Sequence, residues 1–300
     1  MGGRLGIHVA AAPGDGATAA RDARRVAERV IAWSRLLTRH EPGSPLLLLN
    51  DDPATVVPVR PTLGAALAWA DDASGMTSGL VDVTRLAERL AAERGNAGRE
   101  EPGRPAGGPA ASWRVDLGSP RRPTVVRAPG TRFDLDGIGK GWLADRALCL
   151  LAGHPGAAVD ADGDVAVRVA PGDRWEIGVA DPRREDGLLA RIVLADEAGV
   201  LKRGGRTWGV ATSGTSIHRF GPAAHHLIDP RTGRPAATDV VQATVIASGA
   251  AVAEALAKSA VILGSVAGLE FLDRSGAAGA ILMLEDGRVL ALPRTSAYLA

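Results

Sequence analysis

FDLDGIGKGWLADRA, residues 133–147, is the stretch of this chain that most strongly indicates its fold. A strand is expected to end at Asp134, three glycines follow within five residues, and a helix is expected from about Gly137 to Leu151. Glycines at such a turn let the backbone approach a ligand closely, and the helix N-terminus offers free N–H groups to an anion. Lys140 adds a point charge that suits a phosphate. The segment indicates either a phosphate site or an ordinary strand-to-helix turn with a solvated lysine, and it matches neither a Walker loop nor a GxGxxG motif.

On both sides of this segment, the hydrophobic pattern predicts helices and short strands. Apolar residues recur every three or four positions through 19–38, as in an amphipathic helix. Further on, alternating runs separated by turns predict a mostly antiparallel sheet. These runs are AAVDA, DVAVRV, RWEIGVA, LARIVL and TWGVAT. The other expected elements are strands at 4–11, 113–117 and 123–128, helices at 62–70, after Asp82 to Gly95, at 250–262 and at 265–273, and a final hairpin, GAILMLEDGRVLALP. This order differs from a Rossmann-type series, so we predict an α+β fold.

Composition and charge exclude several classes of protein. Hydrophobic residues make up 46% of the chain, as in a globular protein and unlike a disordered one. The formal net charge of +1 gives no electrostatic attraction to nucleic acid or an anionic membrane. No apolar run reaches the roughly 20 residues of a transmembrane helix. The single cysteine, Cys149, excludes an internal disulfide and a cysteine-based zinc site. No secretory signal is visible near the N-terminus, so we expect a cytoplasmic location.

Two local features of composition are informative. Residues 96–112 consist of proline, glycine and charged or small residues without periodicity, which predicts a mobile loop or short linker. Only three of the 35 basic residues are lysines: Lys140, Lys202 and Lys258. Where arginine is the usual cation, a lysine marks a place where a compact ammonium suits better than a guanidinium fork, and chance is the alternative for any one of them.

The segment HHLIDPRTGRP, residues 225–235, concentrates side chains suited to chemistry. Its proline and glycine predict a tight turn that would hold functional groups rigidly. The imidazole of His226 accepts a proton near neutral pH, and Asp229 could orient it or contact a ligand. The alternative is a polar hairpin turn with one histidine packed against the sheet.

Two further segments point to a ligand site. In VAEALAKSAVILG, Glu254 and Lys258 stand four residues apart on one face of a helix that should be largely buried. They form either an ordinary ion pair or a site for a ligand or cofactor. In WGVATSG, a strand leads into Thr212 and Ser213, which predicts a plain turn or another phosphate contact. No GxSxG elbow is present, which argues against a serine hydrolase.

Taken together and in this order, these segments resemble the ApbE family of FAD:protein FMN transferases. The resemblance extends nearly from end to end of the chain. Its motifs are Met1-Gly2 before a strand, the run from Ser34 through Ser44 to Leu49-Asn50, Gly79-Leu80-Val81-Asp82-Val83-Thr84, DLDGIGKG, VDADGDV, GVADP, ATSG, HHLIDPRTG and VAEALAKSAVILG.

The resemblance implies a fold, a reaction and a set of site residues. The fold would be α+β, related to the T-fold, with mostly antiparallel sheets packed with helices in one flavin transferase domain over 1–300. The enzyme would bind FAD with Mg²⁺ on its pyrophosphate and transfer FMN to a Ser or Thr hydroxyl in the flavinylation motif of an acceptor flavoprotein, releasing AMP. His226 would be the catalytic base, and the metal would be held at the Gly137 carbonyl and at the positions of Glu254 and Lys258. The residues predicted to bind FAD are Met1, Leu80, Val81, Asp82, Asp134, Lys140, Thr212, Ser213 and Asp229.

The chain departs from the family pattern at the metal-binding helix. The family carries Asp and, four residues on, Thr, where this chain has Glu254 and Lys258. Glutamate is still a hard oxygen ligand, but a protonated lysine cannot bind a cation. Two outcomes are open: the Lys258 ammonium takes over part of the metal charge, or the metal site is lost and an FAD-binding protein without transferase activity remains. An FAD pyrophosphatase, which would release FMN and AMP, is the alternative enzyme. Val81 and Thr215 also differ from the family's usual Phe and acidic residue.

Overall fold

The computed structural model describes residues 3–95, 111–118, 121–184, 186–195, 206–216 and 225–300. The predicted loop at 96–112 lies outside the described residues except for its last two. The helices are α1 Gly16–Leu37, α2 Pro45–Asp51, α3 Pro61–Met76, α4 Leu86–Glu93, α5 Gly139–Leu150, α6 Ala250–Leu263 and α7 Ser265–Arg274, and a 3₁₀ helix spans Pro293–Tyr298. The strands are β1 Leu5–Ala10, β2 Val56–Pro58, β3 Trp113–Asp116, β4 Thr124–Arg127, β5 Gly156–Ala161, β6 Asp164–Val169, β7 Arg174–Ala180, β8 Leu188–Ala195, β9 Arg206–Gly214, β10 Ile228–Asp229, β11 Arg234–Pro235, β12 Val240–Ala247, β13 Gly279–Leu284 and β14 Val289–Ala291.

The largest sheet of the described residues has seven strands in the order β1-β5-β6-β9-β12-β13-β14. Every neighbouring pair in it is antiparallel. Strands β5 and β6 are joined by Asp162-Gly163, which both have positive φ (60° and 92°), as a two-residue hairpin requires. The α+β fold with mostly antiparallel sheets is therefore confirmed.

Helix α6 lies against the seven-stranded sheet because nearly its whole surface is apolar. Eleven of its 14 residues are buried, most of them alanine, leucine, valine or isoleucine. Small residues let it approach the sheet closely: a Cβ added at Gly209, in β9, would stand 1.9 Å from the carbonyl carbon of Gly249. Glycine is therefore required where β9 crosses the beginning of α6.

The described residues cluster into two compact units. One comprises Ala32–Gly139 and Thr215–Thr238, and contains the three-stranded sheet β2-β4-β3, the hairpin β10–β11 and helices α2, α3 and α4. The other comprises Gly2–Ile31, Lys140–Gly214 and Asp239–Ala300, and contains the seven-stranded sheet, the hairpin β7–β8 and helices α6 and α7. We call them the first and the second unit. The assignment of 1–300 to one flavin transferase domain stays a prediction.

Several elements differ from the sequence-based expectation. Residues 131–135 are irregular, so the strand expected to end at Asp134 is absent and the preceding strand, β4, ends at Arg127. Helix α5 begins at Gly139 and not at Gly137, because residues 136–138 form a turn. The pattern did not predict α2, β2 or β12. None of the helices in the described ranges combines the length and hydropathy that a bilayer crossing needs.

Candidate functional site

Lys140 lies at the N-terminal end of α5, where the sequence analysis expects a phosphate-binding charge. Its Nζ lies 3.3 Å from Oδ2 of Asp164 and 3.4 Å from the backbone oxygen of Asp162. Asp164 begins β6 and is 1% exposed, whereas the Lys140 side chain is 29% exposed. Burial alone would lower the pKa of Lys140, but the carboxylates of Asp164, Glu254 and Asp162 outweigh it and raise the pKa. The ammonium is therefore charged and held in place by a buried carboxylate.

Glu254 of α6 joins the same group of charges. It is 3% exposed, and its Oε2 accepts a hydrogen bond of 2.9 Å from the backbone N–H of Gly141. A Cβ added at Gly141 would stand 2.5 Å from the oxygen of Ala250, so only glycine allows this approach of α5 to α6. Burial raises the pKa of Glu254 to about 8, the Asp164 carboxylate adds to the rise, and the ammonium groups of Lys140 and Lys258 partly offset it. We call Lys140, Asp164, Glu254 and Lys258 the lysine–carboxylate cluster.

Thr212 and Ser213 lie on β9, and Thr212 is next to this cluster. The backbone N–H of Thr212 donates to the Asp164 carboxylate. The Thr212 hydroxyl lies 2.9 Å from the hydroxyl of Thr244 on the neighbouring strand β12. Ser213 is half-buried and stands opposite Ala243. Thr212 thus helps to fix the cluster through its backbone, and the predicted phosphate contacts of the two hydroxyls stay predictions.

The raised pKa of Glu254 predicts how stability depends on pH. The folded state keeps the Glu254 proton up to about pH 8, whereas the unfolded state releases it near the ordinary value of 4.5. The unfolded state therefore binds fewer protons between these values, and the free energy of unfolding falls as pH rises, by at most about 1.4 kcal/mol per pH unit. Glu254→Gln keeps an oxygen acceptor for Gly141 but cannot ionise. We therefore expect urea denaturation at pH 5, 6, 7 and 8 to show a smaller decrease of the free energy of unfolding with pH in this variant than in the wild type. A residual slope is expected because burial also raises the pKa of Asp164. Equal slopes for the variant and the wild type would contradict the prediction.

The divalent cation that the resemblance implies does not fit the donor set of the second unit. Glu254 offers carboxylate oxygens, but the position four residues on, Lys258, offers an ammonium that helps to offset the rise in the pKa of Glu254. Within the described ranges, no three His, Cys, Asp or Glu side chains are grouped as metal ligands. The position four residues after Glu254 is thus occupied by a positive charge, which repels Mg²⁺ instead of binding it. Gly137, the predicted carbonyl ligand, lies in the turn at 136–138 of the first unit.

In the first unit, the segment from Gly79 to Thr84 forms a tightly bonded loop after α3. Ser78 and Gly79 both have positive φ, of 52° and 80°, which turns the chain sharply. The Asp82 carboxylate accepts hydrogen bonds from the N–H of Thr84 at 2.9 Å and its hydroxyl at 2.6 Å, and from Arg85 Nε at 2.7 Å. Asp82 therefore organises its own loop. The predicted FAD-binding residues Leu80 and Val81 are buried.

Asp134 belongs to a buried network of charges in the first unit. Its Oδ2 lies 3.2 Å from Arg89 Nη1 and 3.7 Å from Arg39 Nε. Three groups surround Oδ2 of Asp136: Arg89 Nη2 at 3.4 Å, Arg39 Nε at 3.6 Å and His40 Nε2 at 3.1 Å. Burial and the neighbouring Asp136 raise the pKa of Asp134 more than the arginines lower it. Arg39 lies in the motif run from Ser34 to Asn50 and Arg89 in no motif, and neither was predicted as a site residue, because both are distant in sequence from Asp134.

The two histidines of HHLIDPRTG differ in their surroundings. His225 is buried; its Nδ1 accepts from the N–H of Leu227 at 3.3 Å, so its Nε2–H donates to the oxygen of Ala236 at 3.1 Å. This fits the histidine that packs against a hairpin, one alternative left open by the sequence. His226 is half-buried and stays the predicted base.

The Asp229 carboxylate is directed to Arg231. Arg231 donates to it from its backbone N–H at 2.9 Å, from Nε at 2.9 Å and from Nη2 at 2.8 Å. Asp229 begins the turn between β10 and β11, and the hydrogen bonds from Gly233 and Thr232 to its backbone oxygen close that turn. The structure therefore gives Asp229 a part in shaping the turn, while its predicted contact with FAD stays untested.

The structure brings together Lys140, Glu254 and Lys258, which the sequence analysis singled out in separate motifs. It adds Asp164, the last aspartate of VDADGDV, a motif that was noticed although the Asp164 side chain was not assigned a role. The signal for it was an acidic residue directly after a hairpin turn, at the start of a strand. Met1 lies outside the described residues.

The sequence of this chain is similar to those of a known family and of several characterised proteins. The profile of the ApbE family matches residues 1–282. The chain is 31% identical over 189 residues to the FAD:protein FMN transferase of Treponema pallidum (strain Nichols), which covers 59% of this chain and 50% of that protein. It is 30% identical over 165 residues to the FAD:protein FMN transferase of Salmonella typhimurium (strain LT2), which covers 52% of this chain and 44% of that protein. The chain thus spans about half the length of the curated relatives it matches.

The fold is also similar to that of a solved ApbE structure over almost the whole chain. The crystal structure of the ApbE protein from Thermotoga maritima is similar with a TM-score of 0.70 and 26% identity, covering 93% of this chain and 92% of that one. The profile match, the order of the motifs and the similar fold agree, and this chain therefore belongs to the ApbE family.

Proposed function

We propose that this protein is an FAD:protein FMN transferase, which moves FMN from FAD to a Ser or Thr hydroxyl of an acceptor flavoprotein and releases AMP. The observation that carries the proposal is the Lys140 ammonium, fixed by the buried Asp164 at the N-terminal end of α5. A helix N-terminus with a fixed cation suits the diphosphate of FAD. Membership of the ApbE family supports FAD as the diphosphate compound.

The proposed reaction is a phosphoryl-type transfer in which positioning and charge neutralisation do most of the catalysis. The acceptor oxygen forms a bond to the FMN phosphorus, and the bond from that phosphorus to the bridging oxygen breaks, so that AMP leaves. His226 takes the proton of the acceptor hydroxyl as general base. Lys140 stabilises the negative charge of the diphosphate. No step is assigned to magnesium, because the donor set around Glu254 does not fit it.

The products formed from FAD test this proposal against its alternatives. We expect purified protein, incubated with FAD and a peptide carrying a Ser/Thr flavinylation motif, to release AMP while the peptide gains the mass of FMN. The same peptide with alanine in place of the acceptor residue is the control and should gain no mass. Free FMN with AMP and an unmodified peptide would identify an FAD pyrophosphatase. Tight binding of unchanged FAD would identify a non-catalytic FAD-binding protein, which the substitution at Lys258 motivates. The cytoplasmic location stays a prediction.

A further inference from the structure

The lysine–carboxylate cluster contains as many ammonium groups as carboxyl groups. Asp164 and Glu254 are 1% and 3% exposed, and the pKa of Glu254 responds to both Lys140 and Lys258. The side chains of Asp164 and Glu254 also hydrogen-bond to each other, and the backbone N–H groups of Gly141 and Thr212 donate to Glu254 and Asp164, respectively. The two ammonium groups are therefore the positive charges that the protein itself supplies at this buried site.

An ordinary surface ion pair does not describe Glu254 and Lys258. Pairs four residues apart on an exposed helix contribute only about 0.3–0.5 kcal/mol and leave both partners in water. Glu254 is instead buried under α5, where the N–H of Gly141 donates to it, and eleven of the 14 residues of α6 are buried with it. Lys258 lies one helical turn further along the same face and is itself half-buried. Its ammonium is near enough to Glu254 to offset part of the rise in the pKa of that carboxyl group.

We infer that the Lys258 ammonium stands in this protein for the divalent cation of the family, so that Lys140 and Lys258 together supply the positive charge that neutralises the diphosphate. The inference rests on the proposed function for the identity of that diphosphate, but its central claim, that Lys258 excludes a divalent cation, concerns the protein alone. A protonated amine offers no lone pair to a metal and repels a second cation, so the same residue both blocks the metal and replaces its charge.

Binding of Mn²⁺, followed by the loss of its free-ion EPR signal, tests this claim without any turnover. We expect no saturable binding to the wild-type protein and a gain of at least about tenfold in affinity for Lys258→Thr, which removes the ammonium and adds an oxygen ligand beside Glu254. Lys258→Gln offers the same combination with a longer side chain, in case the threonine variant folds poorly. Lys258→Arg keeps the charge and should bind no better than the wild type. Lys258→Met removes the charge without adding a ligand, so its affinity for Mn²⁺ should lie between those of the wild type and Lys258→Thr.

Two results would overturn the inference. One is saturable, micromolar binding of Mn²⁺ to the wild-type protein. The other is an affinity in folded Lys258→Thr and Lys258→Gln that equals the wild-type affinity, since Lys258 would then not be what keeps the cation out. The outcome is separate from the proposed function: a protein that binds no Mn²⁺ until Lys258 is replaced, but forms no product from FAD, upholds the inference about the cation and contradicts the transferase.

Discussion

Replacing His226 with alanine is expected to lower kcat for FMN transfer by about 10²–10⁴-fold and to change the affinity for FAD by no more than a few-fold. The reason is that the proposed role of His226 is to take the proton of the acceptor hydroxyl, which matters in the transition state and not in binding of FAD. The measurement is the initial rate of AMP release in the presence of the acceptor peptide. The affinity is measured separately, from quenching of flavin fluorescence.

His225 provides the matched control, because it is the neighbouring histidine with a structural role. Its ring links Leu227 to Ala236 across the hairpin, and its loss leaves the buried N–H and C=O of these residues unsatisfied. We expect His225→Ala to lower the free energy of unfolding by about 1–3 kcal/mol, with a rate per folded molecule within a few-fold of the wild type. Full turnover by His226→Ala would show that the base lies elsewhere.

Replacing Gly209 with alanine is expected to have the largest effect on stability. The new Cβ would stand 1.9 Å from the carbonyl carbon and 2.1 Å from the oxygen of Gly249, and 2.2 Å from the nitrogen of Ala250. These are backbone atoms, which cannot rotate out of the way as a side chain can, so α6 would have to move away from β9. We expect a loss of more than about 3 kcal/mol in the free energy of unfolding, measured by urea denaturation, and a melting temperature lower by roughly 10 °C.

Gly75→Ala is the control for this substitution. Gly75 lies exposed in α3, and a Cβ added there would meet no atom within 4 Å. Because alanine is the better helix former, this variant should gain up to about 1 kcal/mol. If Gly209→Ala unfolded at the wild-type urea concentration, the close approach of β9 to α6 would not contribute to stability.

The sequence predicted the elements whose period is clear and missed those that are short or uniformly apolar. Helix α1 repeats its apolar residues over 22 positions, and it was found. Strand β12 reads VVQATVIA, and with all but one residue buried it shows no alternation that distinguishes a strand from a buried helix. Helix α2 has only seven residues, which is too short for a period to emerge. The stretch before Asp134 was predicted as a strand, but residues 131–135 are irregular.

The candidate site was predictable in its residues more than in its contacts. Lys140, Glu254 and Lys258 were each marked by residue type and spacing, but no pattern could reveal that Lys140 lies between the buried carboxyl groups of Asp164 and Glu254. The charge network of Asp134 depends on Arg39 and Arg89, which contact it only after α4 and the segment following α1 are in place. Contacts of this kind are set by tertiary packing, for which a single sequence carries no local signal.

The pairing of β1 with β5 has a consequence for how the chain folds as it is made. Leu5 pairs with Ala161, so the first strand of the seven-stranded sheet must wait for more than 150 further residues to be synthesised. At about 5–20 residues per second, that delay is roughly 8–30 s on the ribosome. During that time the strand LGIHVA has already been synthesised, but the backbone N–H and C=O groups that later pair with β5 have no partner from its own sheet. The second unit therefore cannot close while the nascent chain is short, and its sheet assembles late in translation.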